Sequence, residues 1–158
     1  MTDIRVRHAI EADHDQVARI WWESWRTVGV TVAQDSTIPE LRDMIPKNIA
    51  NGWDLYVAEA AGCVRAMMAI ELDDHHLDQL FVDPVHKGHG IGTLLLNHAK
   101  SKMPGGMWLR TAKSNTPAIK FYQHHGFTHE RDDLHPRLRY PGVYYRWTPA
   151  DGSPCDID

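Results

Sequence analysis

The sequence predicts an α/β fold that mixes antiparallel hairpins with a βαβ crossover. Three observations lead there. Helical spacing of apolar residues ends near Gly52, and from Trp53 the pattern changes to that of strands. Ala61-Gly62 and Asp73-Asp74 then punctuate the apolar runs as tight turns do. Finally, Gly88-His-Gly-Ile-Gly92 carries the chain from a strand through a glycine-rich turn into a helix.

Ile4, Val6 and His8 alternate with Arg5 and Arg7, which marks an opening strand ending near Ala9. Val17, Ile20, Trp21, Trp25 and Val28 recur at helical spacing, with Asp13 placed to cap the start and Gly29 to stop the chain. Trp22 falls off that stripe. Thr37-Ile-Pro-Glu40 has capping-box spacing with Pro39 in the first turn, and Asn51-Gly52 ends this second helix. Leu55 to Ala58 and Cys63 to Leu72 form a hairpin, and His76 to Val82 a further strand stopped by Asp83-Pro84, since proline donates nothing to a sheet ladder. The helix after Gly92 places Ile91, Leu94, Leu95 and Ala99 on one face and closes at Pro104-Gly105-Gly106. Met107 to Thr111 is a short strand. Asn115-Thr-Pro-Ala opens a helix with a cap and a first-turn proline, ending at Gly126. Phe127 starts a strand, and Val143 to Trp147 supplies the last. The expected organisation is one domain over residues 1–148 followed by a polar tail over 149–158.

The 158 residues are 42% apolar and 24% charged, enough to bury a core. A net charge of −4, without blocks of basic residues, argues against a nucleic-acid partner. The longest apolar run, Ala66 to Ile70, is far short of the roughly 20 residues that cross a bilayer, and the N-terminus has no secretory apolar stretch. The expected compartment is the cytosol. Cys63 and Cys155 read as free thiols. Among the 11 histidines, His75-His76, His86 with His89, and His124-His125 invite a metal reading. Adjacent side chains diverge on strands and helices alike, so no metal is expected.

The richest stretch is Val82-Asp-Pro-Val-His-Lys-Gly-His-Gly-Ile-Gly92. Glycines let a ligand approach the backbone, and the free N–H groups of the following helix favour an anion such as a pyrophosphate. Thr93-Leu94 follows Gly92, so the Lys-Ser or Lys-Thr of a P-loop is missing, as is the last glycine of a dinucleotide fingerprint.

Lys87-Gly-His-Gly90-Ile-Gly92 resembles the pyrophosphate loop of the GNAT-type N-acetyltransferase superfamily, with lysine where Gln or Arg is usual. Asn115-Thr-Pro-Ala-Ile-Lys-Phe-Tyr-Gln-His-His-Gly-Phe127 resembles a second motif of that superfamily. With the element order, the resemblance spans roughly residues 3–147. It implies a mixed, mostly antiparallel sheet, splayed after the fourth strand and flanked by about four helices. It also implies transfer of an acetyl group from acetyl-coenzyme A directly to a primary amine of a small molecule or peptide, with a homodimer as the assembly the family leads one to expect. The alternative is a module that binds or senses acyl-coenzyme A without turnover; a histidine-rich metal-binding protein is a third reading.

By position, the resemblance implies that backbone groups of Leu80, Phe81 and Val82 meet the pantetheine arm. Lys87, Gly88, His89, Gly90, Ile91, Gly92 and Thr93 would hold the pyrophosphate, and Asn115 would bond the arm, cap its helix, or do both. Tyr122 corresponds to a residue that protonates the departing thiolate; the other reading is a core tyrosine. Arg110 stands where some relatives carry a glutamate base, and arginine cannot fill that role. Other relatives place the base at the positions of His76 and Asp78, which share one strand face; otherwise these merely decorate a strand end. Glu71 is the reserve candidate. The acceptor wall is expected from the first two helices and the loop between Thr128 and Gly142, with Trp22, Arg26 and Asp132-Asp133 as candidate contacts.

Overall fold

The computed structural model describes residues 3–27 and 36–149. Val28 and Gly29, assigned above to the first helix and its stop, and Cys155 in the tail lie outside them. The elements are β1 (Arg5–His8), α1 (His14–Trp25), α2 (Ile38–Ala50), β2 (Asp54–Ala60), β3 (Cys63–Glu71) and β4 (His76–Val82). They continue with α3 (Ile91–Lys102), β5 (Met107–Ala112), α4 (Thr116–His124), β6 (Thr128–Leu134) and β7 (Pro141–Trp147). One mixed sheet runs in the order β1-β2-β3-β4-β5-β7-β6, antiparallel except between β4 and β5. Among the described residues no helix is long and apolar enough to cross a membrane.

Period-two alternation divides two central strands between two cores. Leu55, Val57, Met67 and Ala69 face α1 and α2, where they meet Val17, Ile20, Trp21, Leu41 and Ile45. Tyr56, Ala58, Met68 and Ile70 face the opposite way, against Ile91, Leu95, Leu96 and Ala99 of α3 and Tyr122 of α4. Burial on both faces explains why β2 and β3 read as nearly unbroken apolar runs. Leu96 occupies the place on the α3 core face expected for Leu94, which is exposed.

Local chemistry sets the boundaries. Ala61 (φ 53°) and Gly62 (φ 76°) both take left-handed backbone, which suits the twist of the β2–β3 hairpin. At α2, the Glu40 N–H donates to Thr37 Oγ1 at 3.2 Å, and the Thr37 N–H donates to Glu40 Oε1 at 2.9 Å, completing the capping box. Asp13 does not cap α1 with its side chain. Its carboxylate takes two bonds from Arg7, at 2.8 and 3.0 Å, and one from the Ile10 N–H at 2.8 Å, tying β1 to the start of α1. The region after Phe127 also differs from expectation. β6 extends to Leu134 as an edge strand exposed along its whole length, so its charged residues show no apolar alternation.

The Arg7 hydrogen bonds, against the opposing pull of burial, hold the Asp13 carboxyl below its usual range. Asp13→Asn should therefore lower the unfolding free energy by about 1–2 kcal/mol near neutral pH. A carboxyl depressed in the folded state contributes fully above its unfolded pKa of about 3.9 and loses that contribution as pH falls through the folded value. Urea titrations of the two proteins should differ at pH 7 and converge in strong acid; a constant gap would contradict this account.

Candidate active site

β4 and β5 are paired only at His76 and Trp108, beside a bond from the Trp108 N–H to the His75 carbonyl at 2.9 Å. Beyond it the strands part. A cleft of about 90 Å³ opens between Leu77–Phe81 on one side and Leu109–Ala112 on the other. A second cleft, of about 450 Å³, is lined by Leu80, Phe81 and Val82, by the turn from Lys87 to Thr93, and by the start of α4. Both clefts are lined by Leu80, Phe81, Asn115, Ala118 and Tyr122, so they meet where β4 faces α4. The half of β4 that lines them has no sheet partner on the β5 side, leaving backbone N–H and C=O groups open to an extended ligand.

The glycine-rich turn is shaped by backbone conformation. Gly88 (φ 86°) and Gly90 (φ 77°) are left-handed, and a Cβ at either would meet nothing within 4 Å. Open space beside the free N–H groups at the head of α3 fits a phosphate-bearing ligand. Lys87, Gly88, Gly90, Ile91, Gly92 and Thr93 line the larger cleft, whereas His89 lines neither. Asn115 does cap α4: Oδ1 accepts from the Ala118 N–H at 3.4 Å, while Nδ2 donates to Thr111 Oγ1 at 3.3 Å.

Tyr122 is 8% exposed and lies at the junction of the clefts, its ring edge-on to Phe121 and Phe127. Its hydroxyl has no hydrogen-bond partner among the described residues. Burial pushes the phenol up, so it stays protonated at neutral pH.

β4 carries the second constellation. Its pairing with β3 steps from Ala69↔Gln79 to Ile70↔Leu77, which leaves Asp78 as the extra residue of a bulge. Asp78 lines the smaller cleft, and its Oδ2 accepts the Trp53 indole N–H at 2.6 Å. His76 is 4% exposed and lies behind it: Nε2 is 3.9 Å from Asp78 Oδ1, and Nδ1 is 2.7 Å from Glu71 Oε1. The imidazole stacks on Trp108, centroids 3.8 Å apart and planes at 4°. His76 and Asp78 are thus adjacent, but only Asp78 faces the cleft. The cluster also differs from the three histidine pairs weighed above. Ligand atoms of Glu71, His76 and Asp78 lie within 4.8 Å of one another, brought together across two strands.

Trp25, His135 and Tyr140, from the first helix and the stretch between Thr128 and Gly142 expected to form the acceptor wall but not the residues singled out there, line the smaller cleft, and Arg110 of β5 joins them. Trp25 falls one turn beyond Trp22, whose indole N–H instead donates to the Ser36 carbonyl at 2.9 Å. Arg26 lies over the Trp22 ring, while Asp132 is engaged by His129 at 2.6 Å and Lys113 at 3.1 Å on exposed β6. Trp22, Arg26, Asp132 and Asp133 line neither cleft.

The chain belongs to the GNAT acetyltransferase family, whose sequence pattern it matches over residues 14–127. It is an acetyl-coenzyme A-dependent N-acetyltransferase. A probable N-acetyltransferase of Mycobacterium tuberculosis is 28% identical over 96% of this chain and 88% of its own length. The peptidyl-lysine N-acetyltransferase YjaB of Salmonella typhimurium is 40% identical, over 40% of this chain and 46% of its own. The fold is also that of YncA from Salmonella typhimurium with its cofactor acetyl-CoA, at a TM-score of 0.72, 14% identity and 99% coverage of both chains.

Proposed function

We propose that the protein moves the acetyl group of acetyl-coenzyme A directly onto a primary amine of a small molecule or peptide. The observation that carries this reading is the meeting of the two clefts at Leu80, Phe81 and Tyr122. One cleft offers anion-binding backbone and an open strand, the other a carboxylate, so both substrates can be held at once. Transfer then needs no covalent enzyme intermediate. Relatives whose names specify an acceptor include a peptidyl-lysine N-acetyltransferase and a streptothricin acetyltransferase. Consumption of acetyl-coenzyme A suits the cytosol.

In this reading, backbone groups of Leu80, Phe81 and Val82 bind the pantetheine arm, and one N–H near Val82 stabilises the oxyanion. Lys87, Gly88 and Gly90 to Thr93, which line the larger cleft, hold the pyrophosphate, with His89 carried in the same turn. The acceptor arrives as an ammonium at Asp78. Its proton passes to the Asp78–His76 pair, with Glu71 balancing the charge on the far ring nitrogen. The free amine attacks the thioester carbonyl, the C–S bond breaks as Tyr122 Oη gives its proton to the leaving thiolate, and the second proton, shed by the cationic nitrogen as the amide forms, passes through solvent to restore the Tyr122 phenol.

Two measurements test this. Calorimetry should show binding of acetyl-coenzyme A, and an amine panel should release free thiol only when both substrates are present. Binding without turnover on any amine would favour a non-catalytic acyl-coenzyme A sensor; absence of binding at millimolar concentration would sink both readings.

A further inference from the structure

The smaller cleft holds two opposite charges that do not neutralise each other. Asp78 and Arg110 both line it, yet no ion pair joins them. Arg110 makes neither a hydrogen bond nor an ion pair with any described residue; its guanidinium lies 5.6 Å from the Trp108 centroid and 5.9 Å from that of Tyr144. A half-buried guanidinium held only by ring faces keeps all five N–H donors available.

Two neutral donors stand beside it. His135 Nδ1 accepts the backbone N–H groups of Arg137 at 3.2 Å and Leu138 at 3.0 Å, so the ring proton resides on Nε2. Burial, reinforced by the nearby charges of Arg110 and Arg137, pushes this histidine down to about 4 and keeps it neutral. Tyr140 stacks on it, centroids 4.9 Å apart, and the Tyr140 hydroxyl has no partner among the described residues. Asp78, Arg110, His135 and Tyr140 all line the smaller cleft.

We infer that the acceptor is an α-amino acid, its carboxylate held by Arg110, His135 and Tyr140 and its ammonium by Asp78. A guanidinium beside neutral N–H and O–H donors is a carboxylate site, and Asp78 is the only acidic group among the described lining residues. A cleft of about 90 Å³ suits a compact zwitterion better than a long polyamine. A simple alkylamine would leave Arg110 desolvated and unmatched, which is how a polar site rejects an analogue lacking its partner group. The inference rests on the acetyltransferase reading and specifies its substrate class.

The test compares α-amino acids, their methyl esters and the corresponding decarboxylated amines by thiol release from acetyl-coenzyme A. The free acids should be preferred by about tenfold to a hundredfold in kcat/KM, expressed mainly in KM. Arg110→Gln should collapse that ratio to within about threefold of one, and Arg110→Lys should restore part of it, because a lysine keeps the charge without the planar fork. Calorimetric binding of the amino acid to protein loaded with coenzyme A should weaken in parallel. If esters or decarboxylated amines outrun the acids, or if Arg110→Gln lowers all three classes equally, the amino-acid assignment is overturned while the acetyltransferase reading stands. If acetyl-coenzyme A binds and no amine of any class releases thiol, both fall together.

Discussion

Tyr122→Phe should slow acetyl transfer by about 10²- to 10⁴-fold while leaving acetyl-coenzyme A affinity within about threefold. The substitution removes only an oxygen. That oxygen bonds no described residue, so its loss orphans no partner, and the ring keeps its edge contacts with Phe121 and Phe127. Thermal stability should consequently change little. Because burial pushes the phenol up, the side chain is a protonated acid throughout the neutral range and is ready to meet a thiolate. A parallel loss of rate, cofactor affinity and melting temperature would instead make Tyr122 a structural core residue.

Asp78→Asn should lower kcat/KM by about 10²- to 10⁴-fold, with the loss steepest at neutral pH. Two functions end together: an amide neither attracts the ammonium nor accepts its proton, although it still accepts the Trp53 indole N–H. His76→Ala should cost less, and its signature should lie in the pH profile. A protonated imidazole cannot accept a further proton, so wild-type activity should fall on the acidic side and the variant should lose that limb. The ranking follows from the cleft: Asp78 lines it, whereas His76 is enclosed by Trp108, Glu71 and Asp78. Steady-state profiles of both variants against pH decide the matter. An unchanged profile for each, with a profile altered by Glu71→Gln, would move the base to Glu71.

The fold was legible wherever the chain obeys local rules. Thr37 and Glu40 form the capping box their spacing announces, Asn115 caps α4, and Ala61-Gly62 turns the hairpin. β6 was only half visible, because an exposed edge strand lacks the alternation that a buried face imposes. Of the site, the contiguous stretches along β4 and the turn into α3 could be read, since one element positions each. Of the acceptor wall, the first helix and the stretch between Thr128 and Gly142 could be read but not the residues: Trp25, Arg110, His135 and Tyr140 come from a helix, a strand and a later loop, and no sequence spacing records their convergence. Asp78 illustrates a subtler limit: alternation places it on a face, but only the bulge opposite Ala69 and Ile70 shows how β4 presents it.

The single paired step between β4 and β5 also ties the protein's persistence to its metabolic surroundings. Four strands lie on one side of that step and three on the other, and the core beside α3 and α4 spans it, whereas the core beneath α1 and α2 draws on β2, β3 and β4 alone. A molecule that bridges the parted strands only in the native state raises the cost of opening them, by about 2.7 kcal/mol at one hundred times its dissociation constant. Set against a typical total stability of about 5–15 kcal/mol, that is a large share. If acetyl-coenzyme A binds as proposed, it acts on the enzyme's lifetime as well as its rate: protein starved of it should be cut faster by a protease than protein saturated with it.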